Sequence, residues 1–130
     1  MPDYWYDHIH LFSPDPEKTA RFYEGMFNAK RVATTELPDG RTSIALDLNG
    51  SRILVIGRPA QAASAPASSG DVSGLDHFGI ATDNLEAAVA DLKAQGVEFR
   101  DEIRAIGSSI KISFLWAPDN VLIELLERSE

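Results

Sequence analysis

The sequence predicts an α+β chain in which one βαβββ module is written twice. Three observations carry this reading. The pair Asp7-His8 returns as Asp76-His77, 69 residues further on, and each pair opens a strand-like stretch. A polar turn and an amphipathic helical stretch follow each pair. Each helix then gives way to a β-rich tail broken by turn residues. Self-similarity at a fixed offset is read first, because a missed repeat misassigns the whole fold.

In the first module, residues 7–12 read Asp-His-Ile-His-Leu-Phe. Strand side chains alternate faces, so Ile9 and Leu11 share one side and His8 and His10 the other. Asp15 is placed to cap a helix, with Pro16 in its first turn, where the missing N–H costs nothing. Thr19, Phe22, Tyr23 and Met26 follow the spacing of one helical face. Asn28 ends the helix, since Asn tolerates the left-handed conformation. A weak strand is expected at 30–35, a turn at Pro38-Asp39-Gly40, and strands at 42–48 and 52–56. Asn49-Gly50 between the last two is a hairpin signal. Glu17, Lys18 and Arg21 read as the solvated side of the helix.

The second module repeats this order. Residues 76–81 read Asp-His-Phe-Gly-Ile-Ala, with Gly79 at the place of His10. A helix is expected to start at Asp83, with Glu86 at capping-box spacing. Leu85, Ala88, Val89 and Leu92 repeat the apolar face, and Gly96 ends it. Weak strand character at 97–103, strands at 110–116 and 121–126, and a turn at Pro118-Asp119-Asn120 complete the unit. Between the modules, residues 57–74 are rich in Ala, Ser and Pro, the composition of a linker or exposed loop. The expected organisation is a single domain over 1–130, with module one at about 1–57, a linker at 58–74 and module two at 75–130.

Composition narrows the function. The chain has 130 residues, one domain's worth, with 44% hydrophobic and 25% charged residues. Twelve basic and twenty acidic residues leave a net charge of −8, which repels nucleic acid and anionic membrane surfaces. The absence of cysteine excludes disulfides, thiolate nucleophiles and zinc–thiolate sites. No apolar run reaches the roughly 18 residues of a membrane helix. No signal peptide opens the chain, so the expected address is the cytoplasm. Gly-x-Gly-x-x-Gly, Walker and Gly-x-Ser-x-Gly patterns are missing.

The chemistry therefore falls to His8, His77 and Glu124. Both histidines sit on the strand face turned away from the apolar, helix-packing side. Glu124 lies inside Val121-Leu122-Ile123-Glu124-Leu125-Leu126, a run apolar on both faces, as in a strand buried on both sides. An unpartnered carboxylate there costs several kcal/mol, so it requires a partner or a metal. Two imidazoles and a carboxylate suffice for a divalent cation and leave positions open for substrate. The alternative is an ion pair of Glu124 with Arg52 or Arg104. His10 shares the parity of His8, as a supporting or rim residue. Asp47 reads as an exposed carboxylate, with a fourth ligand or base as its alternative. Trp5, Tyr6, Phe114 and Trp116 are pocket or core aromatics.

Taken together, the two βαβββ units, the duplicated Asp-His and the Ile-Glu-Leu near the C-terminus resemble the vicinal oxygen chelate superfamily. That superfamily comprises glyoxalase, bleomycin resistance protein and extradiol dioxygenase relatives, and the look is nearest to the glyoxalase and methylmalonyl-CoA epimerase branches. The resemblance implies that the modules pair into an eight-stranded cup with helices outside. It implies a metal held by His8 and His77 from the first strands and by Glu124 from the last. The matching position of the first module is Leu54, which supplies no ligand. The resemblance further implies a homodimer acting on a small molecule. The divalent ion would be manganese, iron(II), nickel, cobalt or zinc, holding vicinal oxygens of the substrate. Glu124 would double as catalytic base in a lyase- or isomerase-type proton abstraction. A two-His-one-carboxylate iron dioxygenase, a thiol transferase of drug-resistance type and a non-enzymatic antibiotic-binding protein are the alternatives.

Overall fold

The computed structural model describes residue 3, residues 6–58 and residues 75–129. Trp5 and nearly all of the 58–74 segment lie outside these. The chain divides into two compact units, one on either side of the boundary between residues 63 and 64.

The first unit runs β1 (His8–Ser13), α1 (Pro16–Phe27), β2 (Lys30–Glu36), β3 (Thr42–Leu48) and β4 (Ser51–Gly57). Its sheet order is β1-β4-β3-β2. β1 runs parallel to β4, whereas β4, β3 and β2 are antiparallel neighbours. A parallel partner requires a long crossover, which α1 and the next two strands supply. The Asp15 side chain accepts from the Lys18 N–H at 3.2 Å, and Asn28 closes the helix with φ +60°. α1 packs on β1, β3 and β4. It buries Thr19, Ala20 and Tyr23, leaving Phe22 and Met26 at the margin. The hydroxyls of Ser13 and Thr19 meet at 2.8 Å beneath it. Ser13 and Leu11 therefore face α1, as do Ile44, Leu46, Ile53 and Val55, all buried. His8, His10 and Phe12 take the opposite face and are exposed. Asn49 (φ +49°) and Gly50 (φ +94°) turn β3 into β4.

The helix face read as merely solvated has a fastening role. Arg31 on β2 donates to Glu17 Oε2 and to Glu24 Oε1, each at 2.9 Å, and so ties α1 to the sheet's edge strand. β2 is otherwise exposed and carries a bulge at Val32.

The second unit repeats the topology with β5 (Phe78–Ala81), α2 (Leu85–Ala94), β6 (Arg104–Ile106), β7 (Ile110–Ala117) and β8 (Val121–Arg128). A single 3-10 turn, Pro118–Asn120, joins the last two. The order is β5-β8-β7-β6, again with the first and last strands parallel. Two expectations are corrected here. The α2 cap is Asn84, not Asp83. Its Oδ1 accepts from the Ala87 N–H at 3.1 Å, while Glu86 turns away to Lys111 at 2.8 Å instead of closing a capping box. Glu127 on β8 anchors the same helix end by accepting from the Leu85 N–H at 2.7 Å. Residues 97–103 form no continuous strand, and only Phe99 bridges, to Leu115. The Asp101 carbonyl accepts from the Ser113 hydroxyl at 2.8 Å, which interrupts the ladder until Arg104 resumes it.

Two outcomes follow for stability. Asn84→Ala is expected to cost about 1 kcal/mol in urea unfolding, and Asp83→Ala close to nothing. The hydrogen bond from Arg31 holds the Glu17 carboxyl below its usual range. A lowered acid adds stability above its unfolded value and loses it as pH falls through the folded value. The urea midpoint should therefore drop between roughly pH 5 and pH 3, and drop less steeply in Glu17→Gln.

Candidate functional site

The parallel register of β5 and β8 sets Gly79 opposite Glu124. His77 lies two residues before Gly79, so its side chain leaves on the same face as Glu124. The two meet, with His77 Nε2 2.9 Å from Glu124 Oε1. On the other side of the ring, His77 Nδ1 is 2.8 Å from Asp76 Oδ2. Both nitrogens thus face carboxylate oxygens. A ring donates on both sides only when it carries two protons. Nε2 and Oε1 therefore meet through a proton, and the same two atoms are lone-pair donors for a cation.

Apolar packing fixes this face. Ile112, Phe114 and Leu122 form a buried cluster, flanked by Ile110, Trp116 and Leu126. Phe114 is the register partner of Glu124 on β7 and stands perpendicular to the His77 ring, centroids 5.1 Å apart. The Arg100 guanidinium lies over the Phe114 ring at 4.5 Å. Gly79 is small for a reason: a Cβ there would come to 3.1 Å from Leu126 Cδ2, and the leucine would have to shift.

The first unit reproduces half of this arrangement. His8 Nδ1 is 2.8 Å from Asp7 Oδ2, the same pairing as in the second unit. The bond from His8 holds the Asp7 carboxyl below its usual range. On β4, however, the residue at the place of Glu124 is Leu54, opposite His10. The His10 ring leans on Phe12, centroids 4.5 Å apart. Partial desolvation of the ring, then the charges of His8 and Arg41, holds its imidazole below the usual range.

The other candidates fall into place. Asp47 sits near the end of β3 and serves the turn after it, its carboxylate accepting from the Gly50 N–H at 3.4 Å. Tyr6 is exposed, and Trp116 flanks the apolar cluster. Glu124 takes His77 as its partner in place of Arg104. Sequence reasoning used Asp7 and Asp76 only as markers of the repeat. The signal for their orienting role was the Asp-His dipeptide itself, written twice. Arg100 was missed because only the fold brings it onto Phe114.

As a metal site, the second unit supplies two donors. Among the described residues, no three His, Asp or Glu side chains are gathered as an ion would require. The pair's chemistry nevertheless fits a divalent cation. Ligand atoms ~2.1 Å from an ion and at right angles stand ~3 Å apart. A ligating histidine commonly gives its other N–H to a carboxylate, as His77 does to Asp76.

The family model described as Glyoxalase/Bleomycin resistance protein/Dioxygenase superfamily matches residues 5–125. The chain belongs to this superfamily. It is 30% identical over 125 residues to the mitochondrial methylmalonyl-CoA epimerase of Homo sapiens, across 92% of this chain and 71% of that protein. It is 27% identical over 142 residues to the lactoylglutathione lyase of Schizosaccharomyces pombe, covering 98% of this chain and 46% of that one. Among solved structures, it shares its fold with the fosfomycin resistance protein FosX of Listeria monocytogenes. There the TM-score is 0.78 at 19% identity, over 96% of this chain and 94% of that one. A substituted form of FosX was solved with manganese(II) and 1S,2S-dihydroxypropylphosphonic acid.

Phe114→Ala is expected to destabilise the chain by ~3–5 kcal/mol in chemical denaturation, the cost of emptying a buried aromatic position. The same change should move the His77 ring-proton resonances, which now sense the aromatic ring beside them.

Proposed function

We propose that the chain is a divalent-metal-dependent enzyme acting on a small molecule with two vicinal oxygens. The observation that carries this is the His77–Glu124 pair at 2.9 Å, with Asp76 fastening the far side of the imidazole. The ion would be held by His77, Glu124 and His8, the last offered by the first unit with its own Asp7. Manganese, iron(II), nickel, cobalt or zinc suits this donor set. When bound, the metal supplies Lewis acidity for charge developing on a substrate oxygen.

The chain's own residues do the rest. Asp76 keeps the Nδ1 proton of His77 and fixes the ring's orientation. Glu124 presents Oε1 to the site and keeps a second carboxylate oxygen with which to take a proton from carbon beside a carbonyl. Phe114, Leu122 and Ile112 keep water from one side of the pair. This is lyase- or isomerase-type chemistry, in line with epimerase and lyase relatives. In the same reading, residues 1–130 work as one glyoxalase-like domain, in a cytoplasmic homodimer without nucleic-acid or membrane partners. Leu54 favours a second reading, since a module lacking its carboxylate suits a cup that binds an antibiotic without turnover.

Metal content of untagged protein separates the two. About one divalent ion per chain, lost in Glu124→Ala, is the expected result. A wild-type chain that takes up none of the five metals on titration would sink the enzyme reading. Asp76→Ala should weaken metal binding ~10–100-fold, as loss of a ligand's orienting carboxylate does.

A further inference from the structure

We propose that the small molecule taken by the second unit carries a terminal oxyanion, a carboxylate or a phosphate-type group, and that Arg100 holds it; this rests on the reading of the His77–Glu124 pair as the reacting end. Every residue involved belongs to the second unit. The Arg100 N–H donates to the Phe114 carbonyl at 2.8 Å, and the Trp116 N–H donates to the Glu98 carbonyl at 2.9 Å, around the bridge of Phe99 to Leu115. Arg100 therefore stands opposite Phe114, as Phe114 stands opposite Glu124 and Glu124 opposite Gly79. Residues opposite one another share a face, so Arg100, Phe114 and Glu124 form one row across the sheet. Two strand spacings, ~10 Å, separate the backbones at its ends, a span within reach of one small molecule.

The guanidinium is held in place without being used up. It lies over the Phe114 ring at 4.5 Å, and the edge of the same ring system meets His77 with centroids 5.1 Å apart. Nε and Nη2 both donate to Asp101 Oδ2, at 3.2 and 2.9 Å, and Nη1 has no partner among the described residues. A planar fork stacked on an aromatic face is suited to an oxyanion in a way an ammonium is not. Arg104 adds a second cation to the same face. It pairs with Ile112, two residues before Phe114, and so projects one row further along. The hydrogen bond from Arg100, then the charges of Arg100 and Arg104, hold the Asp101 carboxyl below its usual range. Glu102 is turned to Lys93 at 3.2 Å. Glu98, opposite Trp116, lies on the other side of the Arg100 row, so an anion is drawn toward Arg104. An open groove of about 480 Å³ follows this segment, lined by Arg100, Asp101, Glu102, Ile103 and Arg104.

The test is a titration of the full, chelator-treated chain with phosphate and with acetate, and with acetamide as the uncharged control. Binding is read from the Phe114 ring resonances, with circular dichroism as the check on folding. At least one anion is expected to give a saturable shift and acetamide none; the tighter of the two assigns the group as phosphate-type or carboxylate. Arg100→Gln should weaken that anion by ~10-fold or more, the loss of a charge-assisted contact. Arg100→Lys should fall between the two, keeping the charge without the fork. Asp101→Asn should tighten binding, because it removes the carboxylate that competes for Nε and Nη2; a merely structural pair would not respond in that direction. No saturation by either anion, a shift that Arg100→Gln leaves unchanged, or weaker binding in Asp101→Asn would overturn the proposal. Manganese uptake by the same protein keeps the two readings apart. Uptake of manganese without anion binding would overturn this proposal and leave the enzyme reading standing. Anion binding through Arg100 in a chain that takes up none of the five metals would keep the Arg100 site and sink the enzyme reading.

Discussion

The parallel register between β5 and β8 is the constraint on which the chemistry of the second unit depends. It places Gly79 against Glu124 and thereby turns His77 toward the carboxylate. A slip of one residue would move Glu124 to the face carrying Ile123, Leu125 and Glu127, under α2. Burial on both faces opposes such a slip. Ile123 and Leu125 are held beneath the helix, and Leu122 is packed with Ile112 and Phe114 on the other side. A carboxylate inside so apolar a strand is tolerable because an imidazole stands directly before it.

Much of this was legible in the sequence because it is local. Asp15 and Asn28 announce both ends of α1 through their own side-chain and backbone preferences. Asn49-Gly50 announces a turn that needs two positive φ angles, and the flanking strands follow. The duplicated Asp-His showed that the same topology would occur twice. What was not legible depended on neighbours distant in sequence. Asp83 and Asn84 are both good caps, and the choice between them goes with Glu127, which meets the next N–H from β8. The strand expected at 97–103 loses its ladder to a hydroxyl on β7. Arg31 reaches two glutamates of α1 only once β2 has folded against β3. In the candidate site, residue type and face single out His8, His77 and Glu124 as candidates. The roles of Asp76 and Phe114 around His77 required the register.

The two units reach the same topology with different fasteners. In the first, a guanidinium on the sheet edge grips the outer face of the helix through Glu17 and Glu24. In the second, Glu127 accepts from the helix's first N–H, and Lys111 reaches Glu86. What they share is the parallel pairing of first and last strands and an Asp-His at the mouth of the first. That shared part positions the chemistry, while the fasteners diverge freely, as surface charges do when only the backbone path must be kept.

The bulge at Val32 has a consequence for how copies of this chain coexist at high concentration. β2 is an exposed outer strand of its sheet, paired among the described residues with β3 alone, and an open row of backbone groups invites a neighbour's strand to zip alongside. An extra residue breaks the regular spacing of those groups, and Lys30, Arg31 and Glu36 place charge along the rim. The strand is long enough to hold α1 through Arg31, yet too irregular to template sheet growth. This margin of the first unit is therefore guarded against aggregation by the same short segment that fastens its helix.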